Sequence, residues 1–451
     1  MNKLFSLKNI SQVSTLALLV FGFIITLIIF VVDSARNEGD KTALQKFVLY
    51  IAVMPENLNT IIRKGVEFKS GEVVERSTQI ISHKNKQTYT KNDKLFSDNG
   101  FLLISAYDET RKVPVISLFD LTSEKTVWQW VPNPEKIVDA TPSLKTLKEK
   151  GVLPALQSSI FRSQHPLLLK DGSILITSGE GPLVRINKCS EIISTIDRIF
   201  HHSIESDGSN IYAPIISIIN QNNAIGSLYR DDGFAIVNVD GNILHEESIL
   251  SILISNGYEA LAVGQNAFGD RIHLNDVEPI TENDNFVKKG DVLLSARSLS
   301  TVALYRPSSK KIIWLKTGPW LAQHDINYLG NGKFSIFGND VAINGQDILG
   351  RRHSNVYIYD MKTDKVTTPY EKFFKDANLS VATQGRSKIL SNGDVFIDDG
   401  TTLRRVSDKS LLRWNYVGRI NDTEVGSLHW SRYLNQSEIF LDWKKNANCP
   451  S

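Results

Sequence analysis

From about Phe96 onward, short runs of β-branched and aromatic residues alternate with clusters of Gly, Asn, Asp and Ser. Apolar runs of this length between turn residues predict strands, and their number predicts an all-β domain. One unit recurs six times: an apolar strand, a polar turn, and a second apolar strand that often carries Trp. Its copies are VISLFDLTSEKTVWQWV from Val115, LVRINKCSEIISTI from Leu183, FAIVNVDGNILHEE from Phe234, VALYRPSSKKIIWLK from Val302, VYIYDMKTDKVTTPY from Val356 and LRRVSDKSLLRWNYV from Leu403. Before each copy, a Gly-containing turn leads into one more strand. The turns are DNG at Asp98, KDG at Lys170, SDG at Ser206, KKG at Lys288, GNG at Gly330 and SNG at Ser391. Four strands per repeat and six repeats predict a six-bladed β-propeller over residues 96–445. A large β-sandwich, or two, is the alternative, but it gives no reason for one unit to recur.

The pattern upstream is different. No charge occurs from Asn9 to Val32, and STLALLVFGFIITLIIFVV is almost wholly apolar. About 20 such residues suffice for a helix to cross a bilayer, so residues 13–32 are expected to anchor the chain. Lys3 and Lys8 precede the run, which puts residues 1–12 in the cytoplasm and the bulk of the chain outside. A cleaved signal peptide is the alternative, although the apolar run exceeds the usual length of such a segment. Residues 33–95 form a juxtamembrane segment with helical character. In it Leu44, Phe47, Val48, Ile51 and Ala52 recur at helical spacing until Pro55 interrupts.

Charge changes the picture by exclusion. The chain carries 51 basic and 49 acidic residues, a formal charge of +2. Without a clustered basic excess, nucleic acid is not an expected partner. Two cysteines do not make a disulfide framework, but beyond a membrane Cys189 and Cys449 are able to pair.

The residues just before the turn units carry the candidate chemistry. His165 opens HPLLLKDG, His201 and His202 open HHSIESDG, His273 opens HLNDVEP, His324 opens HDINYLGNG and Arg386 opens RSKILSNG. In a propeller these positions begin the innermost strands, so residues distant in sequence form a ring at one channel mouth. Five of the nine histidines lie there. A metal site is one reading, though no HxH or HExxH pair is present and Arg is adjacent. An anion pocket is the second, with imidazoles and Arg297 or Arg386 as donors for sulfate, phosphate or carboxylate. Hydrogen bonding within and between blades is the third. His83, His245 and His353 fall outside the pattern, and His429 lies in the aromatic-basic cluster LHWSRYL.

HLNDVEP, GDVLLSARSLSTVALY and IIWLKTGPW followed by QHDINYLGNGKFSIF together resemble the bacterial, PAPS-independent arylsulfotransferase family. HPLLLKDG, FHHSIESDG and GRSKILSNGDVF extend the similarity over roughly residues 96–445. The resemblance implies a six-bladed propeller that moves a sulfuryl group from a phenolic sulfate ester to a phenol through a sulfohistidine. It implies His324 as nucleophile, His273 as a sulfuryl-binding or proton-handling residue, and Arg297 as the neutraliser of the sulfuryl oxygens. Asn275 matches the family's His-Asn motif approximately, and His201 or His202 its double-His motif; Arg386 and His165 rank lower as pocket residues. No cofactor or metal is implied. The expected partners are an aryl sulfate and a phenol, the expected location a bacterial inner membrane with the domain in the periplasm, and a homo-oligomer stays open. The sequence departs from the family in having a membrane helix where the family has a secreted β domain, and in reading Ser295-Ala296-Arg297-Ser298 where a Ser-Arg-His pattern is expected. A non-catalytic propeller binding a sulfated or anionic ligand, or a protein partner, is the second functional reading.

Overall fold

Each hairpin expected from the alternating pattern is present as an antiparallel pair. The computed structural model describes residues 88–108, 110–149, 163–216, 231–263, 270–341, 353–420, 425–439, 441–445 and 449. The expected anchor at 13–32 and most of the juxtamembrane segment lie outside the described residues. Among the described residues no helix is long and apolar enough to cross a membrane.

The strands build an all-β, propeller-like arrangement of antiparallel sheets. Strands β1 (Tyr89–Lys91), β2 (Phe101–Asp108), β3 (Val113–Asp120) and β4 (Lys125–Trp130) begin the described chain. An eight-stranded sheet follows. It contains β5 (Gln164–Leu168), β6 (Ile174–Thr177), β7 (Glu180–Ile186), β8 (Ile192–His201), β9 (Glu205–Ser206), β10 (Asn210–Ile216), β11 (Asp232–Asn238) and β12 (Ile243–Ser248). Its two halves meet only where Ile215 of β10 pairs with Phe200 of β8. Two four-stranded sheets come next. The first is β13 (Leu274–Pro279), β14 (Val292–Ala296), β15 (Thr301–Arg306) and β16 (Lys311–Thr317). The second is β17 (Asp325–Gly330), β18 (Lys333–Gly338), β19 (Asn355–Asp360) and β20 (Lys365–Thr367). The next sheet has β21 (Arg386–Ile389), β22 (Val395–Asp398), β23 (Thr402–Val406) and β24 (Leu412–Val417), with β1 on its outer edge. Strand β1 falls inside the stretch expected to be juxtamembrane and helical; Tyr89 pairs there with Tyr416. Last, β25 (Arg432–Leu434) returns to pair with β2, completing the order β25-β2-β3-β4.

Neighbouring units are joined along their innermost strands by a side chain that meets the next strand's backbone. His165 Nδ1 accepts from Ile204 N at 3.0 Å, Ser203 Oγ from Val277 N at 3.2 Å, and Asp276 Oδ2 from Ile326 N at 3.0 Å. Asp325 Oδ2 accepts from Ser387 N at 2.9 Å and Asp398 Oδ2 from Ser431 N at 2.8 Å. Arg432 Nε then donates to Pro166 O at 2.7 Å, which returns the series to β5. Each link satisfies a backbone group that the sheet ladder leaves facing the axis.

Between sheets the core is apolar. Trp130, Trp320 and Trp414 are fully buried, and burying a large apolar side chain contributes about 1.5–3 kcal/mol. The repeated turns explain their own acidic residues. Asp171 meets Arg185, Asp291 meets Arg306 and Asp394 meets Arg405, so a turn carboxylate takes an arginine from the following hairpin. Cys189 and Cys449 form a disulfide with their Cα atoms 5.2 Å apart. Nearby, Trp443 packs edge-on against Trp128 at 5.1 Å.

Candidate active site

The start of each innermost strand is where the chain turns from one sheet into the space between them all. Several residues there take left-handed backbone: His165 (φ 42°), His202 (56°), His273 (50°), Gln384 (61°), His429 (42°) and Trp430 (60°). Non-glycine residues rarely occupy this region, and such clusters mark sites where the surrounding structure holds a particular geometry.

Three of the expected histidines converge. The His202 ring lies 4.9 Å from that of His273 and 6.4 Å from that of His324, while His273 and His324 are 6.5 Å apart, centroid to centroid. Trp430 forms a wall, with its ring 5.8 Å from His202 and 5.9 Å from His324. His202 is thus the member of the double-His motif that faces its partners. His201 is fully buried behind it, with Nδ1 2.8 Å from His202 Nδ1.

His324 immediately precedes β17 and is 2 % exposed. Its Nδ1 lies 2.7 Å from Asn339 Oδ1. The Asn339 amide nitrogen donates to Val381 O and Gln384 O, both at 2.8 Å, which leaves its oxygen to accept from His324. The ring proton is therefore on Nδ1 and the lone pair on Nε2. Nε2 accepts from Gln384 N at 3.1 Å. Burial, and then the charge of Arg297, hold the imidazole well below its usual pKa, so it stays neutral.

Arg297 opens a short 3-10 turn, Arg297–Leu299, directly after β14. Its backbone N–H donates to His273 O at 3.0 Å. The side chain is buried, and its Nε has no hydrogen-bond partner. Asp270 lies near both groups. Its Oδ2 is 2.5 Å from His273 Nδ1, and its charge favours the Arg297 cation against the opposing effect of burial. The arrangement supplies a neutral nucleophile, a buried cation with an unused donor, and two further imidazoles.

The other expected residues play different parts. Asn275 is fully buried and donates to Gln323 O at 3.0 Å, so it braces the residue before His324. His165 and Arg386 are not brought to the three-histidine cluster. Arg386 Nη1 meets His165 Nε2, and the guanidinium also faces Glu205 at 3.7 Å and Asp325 at 3.5 Å. Arg432 completes this group through Glu205 at 3.0 Å. The edge of the His165 ring, 5.5 Å from Trp430, is one link between the two clusters. Beyond it, at the far ends of the innermost strands, a cavity of about 810 Å³ opens between Glu205, Glu278, Tyr328, Arg386 and Arg432. Among the described residues, no three His, Cys, Asp or Glu side chains are arranged to hold a metal ion.

Sequence reasoning missed Asn339, Asp270, Gln384 and Trp430. Asp270 carried a signal in its i, i+3 spacing to His273, and Trp430 in the LHWSRYL cluster. Asn339 and Gln384 carried none: Asn339 meets His324 across the β17–β18 hairpin, and Gln384 reaches it from the start of the next sheet.

Residues 165–410 match the arylsulfotransferase (ASST) family model. No curated protein matches the chain. Among solved structures, a protein of unknown function from Bacteroides caccae aligns with a TM-score of 0.48 at 12% identity, covering 75% of this chain and 100% of that one. TolB from Acinetobacter baumannii aligns with a TM-score of 0.44 at 9% identity, over 76% of this chain and 68% of that one. A streptogramin B lyase aligns with a TM-score of 0.38 at 9% identity, over 76% and 97%.

Proposed function

The chain belongs to the arylsulfotransferase family, and from that premise we propose that it moves a sulfuryl group from a phenolic sulfate ester to a phenol through a sulfohistidine at His324. The observation that carries this reading is the juxtaposition of a neutral His324, its tautomer fixed by Asn339, with the buried and partly unpaired Arg297 guanidinium. In the first step Nε2 attacks sulfur, the sulfur–aryl oxygen bond breaks, and the phenolate leaves. In the second, a phenol gives up its proton, its oxygen attacks sulfur, and the nitrogen–sulfur bond breaks to restore His324. Arg297 and His273 hold the sulfuryl oxygens. His202 handles the acceptor's proton. The Gln384 N–H, which rests on Nε2 without substrate, turns to a sulfuryl oxygen when sulfur approaches. Preorganised donors of this kind are worth about 10²–10³ in rate each.

The eight-stranded sheet counts as two blades joined at the Ile215–Phe200 pair, which makes six blades in all. We place the domain in the periplasm, tethered to the inner membrane through residues 13–32. The Cys189–Cys449 disulfide supports an oxidising compartment.

A second reading, an anion-binding propeller without chemistry, is favoured by the engagement of Nε2 with Gln384. Release of 4-nitrophenol from 4-nitrophenyl sulfate separates the two. The purified full chain is expected to release it when phenol is supplied as acceptor, and His324→Asn to release none. Equal inertness of wild type and variant, both folded, across several aryl sulfates would leave only the binding reading.

A further inference from the structure

The geometry points to a positioning pair behind His202: His201 and Asp232 fix which nitrogen of the His202 ring carries the proton, and so make His202 a base toward the acceptor. This rests on the sulfuryl-transfer reading above. His201 is fully buried, and its Nδ1 lies 2.8 Å from His202 Nδ1. Two imidazole nitrogens at that distance share one proton, so one ring donates and the other accepts. The far side of His201 decides which. There Nε2 has no hydrogen-bond partner and faces Asp232 Oδ1 at 3.5 Å, in a site where neither side chain is exposed.

A buried carboxylate beside an imidazole nitrogen favours a proton on that nitrogen. With the proton on His201 Nε2, His201 Nδ1 is the acceptor and His202 Nδ1 the donor. The lone pair of His202 is then on Nε2. That atom takes the acceptor phenol's proton as the phenol oxygen bonds to sulfur and the His324 nitrogen–sulfur bond breaks. Asp232 offsets the positive charge that His202 then carries, and the proton passes to the next leaving phenolate or to water. Titratable groups packed around His202 include His201, His273 with its Asp270, and His324. Asp232 is itself held in place, because its Oδ2 accepts from Leu274 N at 2.7 Å.

That last bond makes Asp232→Asn a directed test. The carboxamide oxygen must stay on the Leu274 N–H, so the NH₂ group faces His201 Nε2 and requires a lone pair there. The proton chain reverses, and His202 Nε2 carries hydrogen instead of accepting it. In this variant the stoichiometric burst of 4-nitrophenol is expected to persist, because that leaving group needs no acid. Steady-state transfer to phenol is expected to fall about a hundredfold, within the range for loss of a general base. With a polyfluorinated phenol that is already ionised at the assay pH, variant and wild type are expected to agree within a few-fold. Unchanged transfer to phenol, or equal loss with both acceptors, would overturn the proposal and leave sulfuryl transfer standing. A wild type without any burst would overturn the sulfuryl-transfer reading and this proposal with it. Imidazole ¹⁵N spectra of the wild type give a check independent of the variant's folding. His201 is expected to be protonated at Nε2 and His202 at Nδ1; the opposite pair of tautomers would sink the idea.

Discussion

Asn339 Oδ1 lies 2.7 Å from His324 Nδ1, and the two carbonyls that hold the Asn339 amide fix which end faces the ring. The tautomer of His324 is thus set from the residue that follows β18, the strand paired with β17. Asn339→Leu removes the acceptor and leaves the Val381 and Gln384 carbonyls unmet. Unmet buried polar groups cost about 1–3 kcal/mol each, so the denaturant midpoint should fall. The pre-steady-state burst should slow by about tenfold to a hundredfold, the scale of losing a positioning contact in a near-attack geometry. A burst at the wild-type rate would show that Asn339 does not set the ring.

In the proposed reaction Arg297 acts on both the sulfuryl group and His324. Arg297→Gln should lower kcat/KM for aryl sulfate by about 10²–10³, the range for losing one charge-stabilising donor group. It should also move the pH profile. His324 is held well below its ordinary value by burial first and Arg297 second, so its reactive neutral form persists into acid. Removing the Arg297 charge lets the imidazole protonate more readily, and the acid limb of the burst rate should move to higher pH. A variant whose limb stays in place would separate Arg297 from His324.

Buried carboxyls along the axis predict an alkaline loss of stability. Burial first, and then Glu205, Asp276 and Asp325, raise Glu278 well above the usual carboxylate range, and Asp276 is raised in the same way. Burial pushes Asp398 up to about 7. A carboxyl with a raised folded pKa keeps its full contribution below the unfolded value and loses it as pH rises through the folded value. Above about pH 7.5 unfolded histidines, with an ordinary pKa near 6.5, are mostly neutral, so the carboxyls decide the slope there. The urea midpoint should therefore fall between about pH 7.5 and 8.5, and Glu278→Gln should flatten the fall. An identical slope in that variant would remove Glu278 from the account.

The Cys189–Cys449 disulfide spans 260 residues of sequence. In the chain-entropy view a loop of that size gives about 5 kcal/mol, by restricting the unfolded chain. Paired replacement of Cys189 and Cys449 by Ser should lower the melting temperature by several degrees and leave the burst amplitude unchanged, since neither cysteine belongs to the histidine cluster. A melting temperature equal to that of wild type would mean that the unfolded chain is already as restricted as the bridged one.

Much of this was legible in the sequence because strand alternation is local. The six hairpins and the Gly turns before them stand where the period-two pattern puts them, and the head positions of His202, His273 and His324 follow from that register. The axial register was not legible to the same depth. His165 and Arg386 look like heads, yet they point into the charge cluster with Glu205 and Asp325. Which way each head faces depends on the backbone angles and partners at that strand start, and no composition signal reports a backbone angle. Asp325 beside His324 invites a catalytic reading; its carboxylate instead holds the next innermost strand through Ser387 N. Asn339 and Gln384 reach His324 only through tertiary packing.

Strand β25 and the wall residue Trp430 lie far along the sequence from β2, yet β25 pairs with β2. The pocket around His324 therefore needs segments from both ends of the described propeller-like arrangement. Without the segment that carries Trp430, β25 and Cys449, the first sheet lacks its axial strand, His324 lacks one side of its enclosure, and Cys189 lacks its disulfide partner. On this architecture, pairing the first sheet's axial strand and walling the histidine cluster are one event.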